Sequence, residues 1–397
     1  MEPAASAIAP ASRAEPVVVQ PPRLRIVHVV GRSQRRGAEI AALELAAELD
    51  RRGHHNRVVA MCPQFDGSRE PALAPLTARR QMDLVGFVAG VLRLRRALRR
   101  DPADIVLAHG GWAMQVAAVA RRRDQTLIWQ RILAFPPAFW GEGPRRALQR
   151  RWWRWVARRG GAGVALTAEL RDELHRLGFA APVWIIANSR DPRRFSGVDR
   201  AAAGRRLRDE LGLDPDTRLI GLVGHLIEQK RPERALTVLD EVRRHGVDAH
   251  LVVAGDGPLR QGLQSDIGRR GLSASVTILG QRDDVEWVLA GIDLLVLVSE
   301  SEGIPGVVIE AQMAGCPVVT YPLGGVEQVV IDGITGVVTG RAEPELMAEA
   351  VARLLADPGT RGRLGEAAVQ RAAAFSVDRA AARYEAGFLD VLGVTHG

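Results

Sequence analysis

Short apolar runs that alternate with longer Ala-, Leu- and Arg-rich segments constrain this chain most strongly. The alternation starts near Arg25 and continues almost to the C-terminus, and the longer segments carry their apolar residues at helical spacing. Because each short run is almost continuously apolar, it predicts a strand buried on both faces, and such strands form parallel sheets covered by helices. The chain is therefore predicted to have an α/β fold.

The predicted strands form two sets of six. The first set lies at residues 25–30, 57–61, 104–108, 126–130, 163–167 and 183–187, and the second at 219–223, 250–254, 275–279, 293–298, 317–320 and 336–339. A turn-rich stretch at 189–205 predicts a linker between them. Because 397 residues exceed what one core usually holds, we expect an N-terminal domain over 23–188 and a C-terminal domain over 206–375. The amphipathic helix at 376–397 is predicted to cross back and join the first domain.

Composition points to an intracellular protein without a membrane span. Residues 1–22 are rich in Ala and Pro and lack a continuous apolar segment, which predicts a disordered tail instead of a signal peptide. Charged residues interrupt every later apolar run before it reaches membrane-spanning length. Cys62 and Cys316 are the only cysteines, too few for a disulfide framework, and they indicate a reducing environment. We therefore expect a cytoplasmic protein.

The formal net charge of +8 raises the question of an anionic partner. Coding bias toward Arg explains this charge as well as a functional basic face does. No segment resembles a nucleic-acid-binding module, so nucleic acid is not an expected partner. An anionic membrane surface stays open as a partner.

The stretch 299–317 is the strongest candidate for a ligand site. It follows the predicted strand at 293–298, turns through Gly303, Pro305 and Gly306, and enters a short apolar helix. Free N–H groups at the start of that helix can meet an anion. Glu302 stands on the turn and Glu310 on the helix. In open α/β sheets, ligands bind at this edge of the sheet.

Other predicted strands also end in residues that a packed core does not require. Gly37 precedes a helix, His109 follows a strand, and Lys230 lies just before a helix. Each has an ordinary structural explanation: a plain turn, a histidine bonded to nearby backbone, and a solvated lysine. The sequence around Asp256 superficially resembles a dinucleotide-binding turn, but the third glycine is missing and a tight turn suffices.

Together and in this order, these motifs resemble the family 4 glycosyltransferases. The strongest match is the pair Glu302 and Glu310, separated by seven residues and continuing through Ala311-Gln312-Met313-Ala314-Gly315-Cys316-Pro317. The stretches 324–327 and 332–336 match as well, and the resemblance runs from about 25 to about 392. It implies the GT-B architecture, in which two Rossmann-like domains face each other across a cleft, with the acceptor on the N-terminal side and the donor on the C-terminal side.

The resemblance implies an enzyme that transfers a hexosyl or N-acetylhexosaminyl group with retention of anomeric configuration. The donor would be a UDP- or GDP-sugar, and the acceptor a hydroxyl of a sugar, a lipid-linked saccharide or a small molecule. Polysaccharide, glycolipid or glycosylated-metabolite synthesis would be its setting. No cofactor or metal is expected, because the sequence has no Asp-x-Asp turn or His/Cys cluster that is placed like a metal site. Double displacement through Glu302 and same-face transfer both stay open.

The resemblance also assigns roles to individual residues. Lys230 would contact the donor diphosphate, Glu302 the donor sugar and Glu310 the ribose, while Gly37 would face the diphosphate and His109 the sugar and phosphate. Backbone N–H groups of Gly303, Ile304, Gly306 and Val307 would complete the donor site. Pro305 departs from a common glycine, and His225 stands where arginine is usual. The expected catalytic residues are Glu302, His109 and Lys230.

The acceptor side is predicted from the first domain. Arg131 and Trp140 belong to an aromatic segment that we expect to line it. In the Arg-rich helix at 145–159, Leu148, Trp152, Trp155 and Val156 form a stripe predicted to be core, whereas Trp153 falls among arginines. An exposed Trp153 would suit contact with an anionic membrane, and an ordinary amphipathic helix is the alternative.

A second class of function is a catalytically weak or inactive GT-B module that binds a nucleotide or polyanion. Only the departures at His225 and Pro305 favour it. Donor turnover would separate it from an enzyme.

Overall fold

The computed structural model describes residues 22–34, 36–63, 73, 75–78 and 83–394. Apart from residue 22, the predicted tail at 1–22 lies outside the described residues. The first half contains β1 (Arg25–Ser33), α1 (Gly37–Arg51), β2 (His55–Pro63), α2 (Leu84–Arg100), β3 (Ile105–His109), α3 (Gly111–Ala120), β4 (Thr126–Arg131), a 3-10 turn (Pro137–Trp140), α4 (Pro144–Ala157), β5 (Ala162–Ala165), α5 (Ala168–Leu177) and β6 (Val183–Ile185).

The second half repeats this pattern and adds helices at its end. It contains a 3-10 turn (Pro192–Arg194), α6 (Arg200–Leu211), β7 (Arg218–Val223), a 3-10 turn (Glu228–Lys230), α7 (Glu233–Arg244), β8 (Ala249–Ala254), α8 (Arg260–Arg269), β9 (Val276–Gly280), α9 (Val285–Gly291), β10 (Leu294–Leu297), α10 (Gly306–Met313), β11 (Val318–Thr320), a 3-10 turn (Gly324–Gln328), β12 (Gly336–Val338), α11 (Pro344–Ala356), α12 (Pro358–Ala372), a 3-10 turn (Ala373–Phe375) and α13 (Val377–Val391).

The described strands form two parallel sheets of six strands each. Their orders are β2-β1-β3-β4-β5-β6 and β12-β11-β10-β7-β8-β9. Each predicted run overlaps one of these strands, and the α/β class with two Rossmann-like sheets is confirmed. The strand order reverses between β1 and β3 in the first sheet and between β7 and β10 in the second. Such reversals open a crevice at the carboxyl edge of a parallel sheet, where ligands bind.

Helix α13 packs on the first sheet, away from the strands that precede it in the chain. Its buried Tyr384 and Phe388 share a core with Leu45 of α1 and with Ile105 and Leu107 of β3. Glu385 on the same helix accepts hydrogen bonds from His54 and Arg52 of the first domain. The last helix therefore completes the first domain's core.

The chain passes between the domains twice, and the two passages touch. The N–H of Arg190 donates to the carbonyl of Phe375 at 3.0 Å, and the N–H of Val377 donates to the carbonyl of Arg190 at 2.9 Å. Helix α6 already begins at Arg200, inside the range predicted as linker, because the Asp199 side chain caps it by accepting from the N–H of Ala202.

The inward face of α4 differs from the one predicted. Trp153, Val156 and Ala157 are buried, and the Trp153 ring stacks on Trp129 with a centroid distance of 5.4 Å. Leu148 is 70% exposed and Trp155 is 41% exposed. The predicted core stripe was therefore wrong at these two residues, and the exposed Trp153 was wrong too. The helical period alone does not say which neighbouring elements a helix meets, and here the large indole of Trp129 takes Trp153 into the core.

Candidate active site

A cavity of about 500 Å³ lies between the carboxyl edges of the two sheets. It is lined by all ten residues predicted to bind the donor: Gly37, His225, Lys230, Glu302, Gly303, Ile304, Pro305, Gly306, Val307 and Glu310. The loops that carry them follow β1, β7 and β10, the strands at the two reversals of strand order. The tertiary fold thus brings sequence-distant loops to one site.

The loop after β10 is held against the first domain and against a glycine pair. A Cβ on Gly303 would lie 2.6 Å from the carbonyl oxygen of Ile132, and the side-chain amide of Asn188 donates to the carbonyl of Ile304 at 3.0 Å. The N–H of Gly325 donates to the carbonyl of Gly303, and a Cβ on Gly325 would lie 2.6 Å from that oxygen. Only glycine allows these approaches without a shift of the backbone.

Glu302 and Lys230 form an ion pair in the cavity wall. The Oε1 atom of Glu302 accepts from Lys230 Nζ at 2.5 Å and from Ser299 Oγ at 2.6 Å. Among the described residues, Oε2 of Glu302 accepts no hydrogen bond. A carboxylate with one anchored oxygen and one unused oxygen is suited to accept a hydrogen bond from a ligand hydroxyl.

Glu310 is paired with Arg190, a residue that sequence reasoning missed. The Nε atom of Arg190 donates to Glu310 Oε1 at 2.6 Å, and the arginine side chain is only 2% exposed. Its Nη2 atom lies 3.5 Å from the carbonyl oxygen of Gly37, and a Cβ on Gly306 would lie 1.6 Å from Nη2. Arg190 therefore places a permanent positive charge between the first helix of one domain and the N-terminus of α10.

Arg36 and Glu39 also influence the charge of the cavity. Arg36 of the first domain contacts the imidazole Nε2 of His225 across the cleft. Glu39 also lines the cavity, and burial raises its pKa to about 7, against opposing hydrogen bonds from backbone N–H groups and Gln34.

The turn at Asp256 behaves as a structural one, because its carboxylate accepts from the N–H of Gly257 and from Arg260.

His109 does not belong to the cavity wall. It is 5% exposed at the end of β3, where its Nε2 lies 3.1 Å from Nδ1 of His28 and its Nδ1 contacts Gln130. Gln130 does line the cavity. Burial lowers the pKa of His109 to about 3, with a further contribution from His28. The geometry thus places Gln130, and not His109, in the wall of the cavity.

Arg131 and Trp140 also lie outside the cavity lining. The guanidinium of Arg131 is buried, donates to Glu173 at 3.0 Å and lies 3.8 Å from the ring centre of Phe135. A buried guanidinium needs such a partner, which holds it inside the first domain. Trp140 packs edge-on against Phe139, and Arg176 lies over its ring. Ile132 and Leu133, next along the chain, reach the cavity instead.

Three features of the described residues bear on alternative sites. They contain no group of three or more His, Cys, Asp or Glu side chains that could hold a metal ion. A smaller cavity of about 260 Å³ near Arg200 and Arg208 lies away from these loops, and both guanidiniums already donate to backbone carbonyls or to Asp293. Within the same part of the chain, no helix combines the length and apolar character needed to cross a bilayer.

Two family models cover most of the chain. Residues 35–194 match the model described as Glycosyltransferase Family 4, and residues 205–371 match the model described as Glycosyl transferases group 1. The first matched segment contains β2–β6 of the first sheet, and the second contains all of β7–β12.

Individual relatives and one solved structure agree with these models. The chain is 32% identical over 317 residues to the alpha-D-kanosaminyltransferase of Streptomyces kanamyceticus, covering 74% of this chain and 79% of that protein. It is 30% identical over 315 residues to the D-inositol 3-phosphate glycosyltransferase of Mycolicibacterium gilvum, covering 74% and 67%. The fold is similar to that of Anabaena HepE in complex with UDP and glucose, with a TM-score of 0.74, 19% identity, and coverage of 93% of this chain and 100% of that chain. With two facing sheets and both family models matched, this chain belongs to the family 4 glycosyltransferases of the GT-B class.

Proposed function

We propose that this glycosyltransferase moves a hexosyl or N-acetylhexosaminyl group from a UDP- or GDP-sugar to an acceptor hydroxyl with retention of configuration and without a metal ion. The observation that carries the proposal is the convergence of the ten donor-binding candidates on one cavity between the domains. A solved structure of the same fold that holds UDP and glucose supports a nucleotide-sugar donor.

Positive charge in the cavity suits the departing diphosphate. Lys230, Arg190 and the N–H groups at the start of α10 supply it from the second domain and the linker. Arg190 provides the permanent guanidinium charge that His225 does not. These groups stabilise the negative charge that grows on the leaving group as the sugar becomes oxocarbenium-like.

Same-face transfer is the mechanism that we favour. The bond from the anomeric carbon to the diphosphate oxygen breaks, the acceptor oxygen attacks from the same face, and its proton passes to the leaving phosphate. Glu302 then needs only to orient the donor sugar through Oε2, since Oε1 is held by Lys230 and Ser299. His109 acts through Gln130, because its own ring nitrogens are already engaged.

The donor test is a thermal-shift panel of UDP, GDP and their sugar conjugates. A nucleotide that binds the folded state raises the melting temperature by linkage, and the better base identifies the donor. Transfer assays with that donor then compare D-inositol 3-phosphate, simple sugars and lipid-linked saccharides as acceptors. Binding without either transfer or hydrolysis of any donor would instead support the binding-module alternative.

We also propose peripheral contact with an anionic membrane at the cytoplasmic face. The first turns of α2 expose Leu84, Val85 and Val88, and α4 exposes Leu148 and Trp155. The two helices are neighbours, since the ring of Phe87 on α2 packs edge-on against Trp152 on α4. Both helices also carry arginines, between residues 93 and 100 on α2 and between residues 145 and 154 on α4. Apolar residues among arginines suit insertion at an anionic lipid surface.

Co-sedimentation with phosphatidylglycerol vesicles tests this surface. Leu148→Ser and Trp155→Ser should each weaken binding, whereas Val369→Ser, a change at an exposed apolar residue on α12, should not. Neutral vesicles should bind little protein, because they carry no negative surface charge to attract the arginines. Equal binding by all variants, or no binding to anionic vesicles, would remove the membrane from the proposal.

A further inference from the structure

A chain of side-chain hydrogen bonds runs from the surface of the first domain to the cavity. Asp50 Oδ1 accepts from Asn56 Nδ2 at 2.9 Å, and Asn56 Oδ1 lies 3.0 Å from His28 Nε2. His28 Nδ1 lies 3.1 Å from His109 Nε2, and His109 Nδ1 contacts the side-chain amide of Gln130. Each ring nitrogen of the two histidines is therefore engaged.

Both imidazoles are neutral at physiological pH. Burial lowers the pKa of His28 to about 4, although Asn56 and Asp50 oppose the shift. Burial, together with the neighbouring His28, lowers the pKa of His109 to about 3. A neutral imidazole has one N–H donor and one acceptor nitrogen. When one of its nitrogens donates to a neighbour, the other nitrogen must therefore accept from the neighbour on the opposite side.

The carboxylate of Asp50 determines which nitrogen of each histidine donates and which accepts. Its Oδ1 accepts from both the backbone N–H of Asn56 at 2.8 Å and the side-chain Nδ2. A carboxylate only accepts, so Asn56 must present its amide oxygen to His28. His28 then carries its proton on Nε2 and accepts at Nδ1. His109 in turn carries its proton on Nε2 and has an acceptor at Nδ1.

The acceptor at His109 Nδ1 decides the orientation of the last amide. An acceptor there requires the NH₂ group of Gln130, although the structure records its Oε1 at this contact. The oxygen and nitrogen of a side-chain amide exchange by a half-turn, and the hydrogen-bond network determines which is which. The half-turn places NH₂ on His109 and turns the amide oxygen to the cavity that Gln130 lines.

We propose that Gln130 is a specificity-determining residue that presents its amide oxygen to a hydroxyl of the bound sugar or acceptor, and that Asp50, Asn56, His28 and His109 fix this orientation. The choice of a hydroxyl rests on the proposed function, in which the cavity holds sugar substrates. An amide oxygen held in this orientation accepts a hydrogen bond from a ligand hydroxyl. It disfavours a ligand that has only a hydrogen-bond acceptor at this position.

The orientation is tested by NMR on protein labelled with ¹⁵N-histidine, which needs no activity. Two-bond ¹H–¹⁵N correlations at pH 7 should show His28 and His109 as Nε2–H tautomers. Asp50→Asn removes the obligatory acceptor, so the Nδ1–H tautomer should appear in both rings, while the exposed Asp378→Asn should change nothing. A wild-type His109 protonated on Nδ1 or on both nitrogens, or tautomers unmoved by Asp50→Asn, would overturn the proposal even if transferase activity is found.

The specificity role is tested by substrate affinity. Gln130→Met keeps the size of the side chain but removes the acceptor, and should raise the KM or Kd of one substrate about 10–100-fold, the cost of leaving one polar group unpaired. Asp50→Asn, which lies outside the cavity, should raise the same KM by a smaller factor, and Asp378→Asn should not. Substrate affinities within twofold of wild type for a folded Gln130→Met would overturn this role while leaving the transferase proposal intact.

Discussion

At the scale of single residues, each of three carboxylates in the cavity wall is either held by a cation or has a pKa that burial raises. Glu302 is anchored by Lys230 and Ser299, and Glu310 by Arg190. Glu39 has no described cation bonded to it, and burial raises its pKa instead. A buried carboxylate that is neither paired nor protonated would cost several kcal/mol, which explains these two arrangements.

Glu302→Gln and Lys230→Ala should each lower kcat about 100-fold or more while leaving the fold intact. In the proposed mechanism each change removes a charge beside the reacting sugar and diphosphate, where electrostatic stabilisation is worth most. Steady-state kinetics with the identified donor, beside circular dichroism of each variant, measures both effects. The matched control is Arg231→Ala at the neighbouring exposed ion pair with Glu300, which should retain wild-type kcat. Wild-type turnover in either site variant would contradict the assigned roles.

Glu39 should make the free energy of unfolding depend on pH. Its pKa is about 7 in the folded protein against 4.5 ordinarily, so the folded state binds more protons between these values. Stability from this residue should therefore fall as pH rises from about 4.5 to 7, by up to about 3 kcal/mol, and then level off. Urea titrations at pH 5 and pH 8 should show that Glu39→Gln gains stability relative to wild type as pH rises. The exposed Glu349→Gln should run parallel to wild type, and a parallel Glu39→Gln curve would refute the raised pKa.

At the scale of elements, the N-terminus of α10 requires a glycine, a residue without a side chain. Pro305 precedes the helix without a side-chain cap, and Gly306 opens it directly against the guanidinium of Arg190. The guanidinium stays beside the positive end of this helix because Glu310, on the second turn, pairs with it. Gly306 is therefore needed for close approach, and not for an unusual backbone angle.

Gly306→Ala should displace Arg190 and break its pair with Glu310. A Cβ there would lie 1.6 Å from Nη2, so the guanidinium must move and leave a buried carboxylate unpaired. We expect a loss of about 3–5 kcal/mol in the free energy of unfolding and weaker nucleotide binding. Gly262→Ala in α8, where a Cβ meets nothing within 4 Å, should be neutral or slightly stabilising. Chemical denaturation of both variants decides, and equal stability would contradict the packing.

At the scale of the whole molecule, the two domains are tied by the linker, by the returning chain and by contacts across the cleft. The backbone of Arg190 makes hydrogen bonds where the two passages between the domains touch, and its side chain contacts Gly37 and Glu310. Helix α13 then closes the core of the first domain from the far end of the chain. The stability of the first domain should therefore depend on residues near the C-terminus.

Phe388→Ala should destabilise the first domain by about 3–5 kcal/mol, the usual cost of removing a buried phenyl ring. Phe388 is fully buried against that domain. Hydrogen exchange should quicken in α1, β1 and β3 and change little in β7–β12. Val369→Ala on the exposed face of α12 is the control for the second domain. Faster exchange confined to β7–β12 would show that α13 belongs to the other core.

The sequence by itself determined the α/β class, the twelve described strands and the loop from Glu302 to Glu310 that lines the cavity, because these depend on local apolar patterning and on residues that are close in the chain. Only the tertiary structure decided which face of α4 is buried, that His109 and Arg131 lie outside the cavity wall, and that Arg190 forms an ion pair with Glu310. Those outcomes are contacts between distant segments: Arg190 and Glu310 are 120 residues apart, and His28 and His109 are 81 apart. A buried ion pair or histidine chain has no local period, so only the packed sheets reveal it.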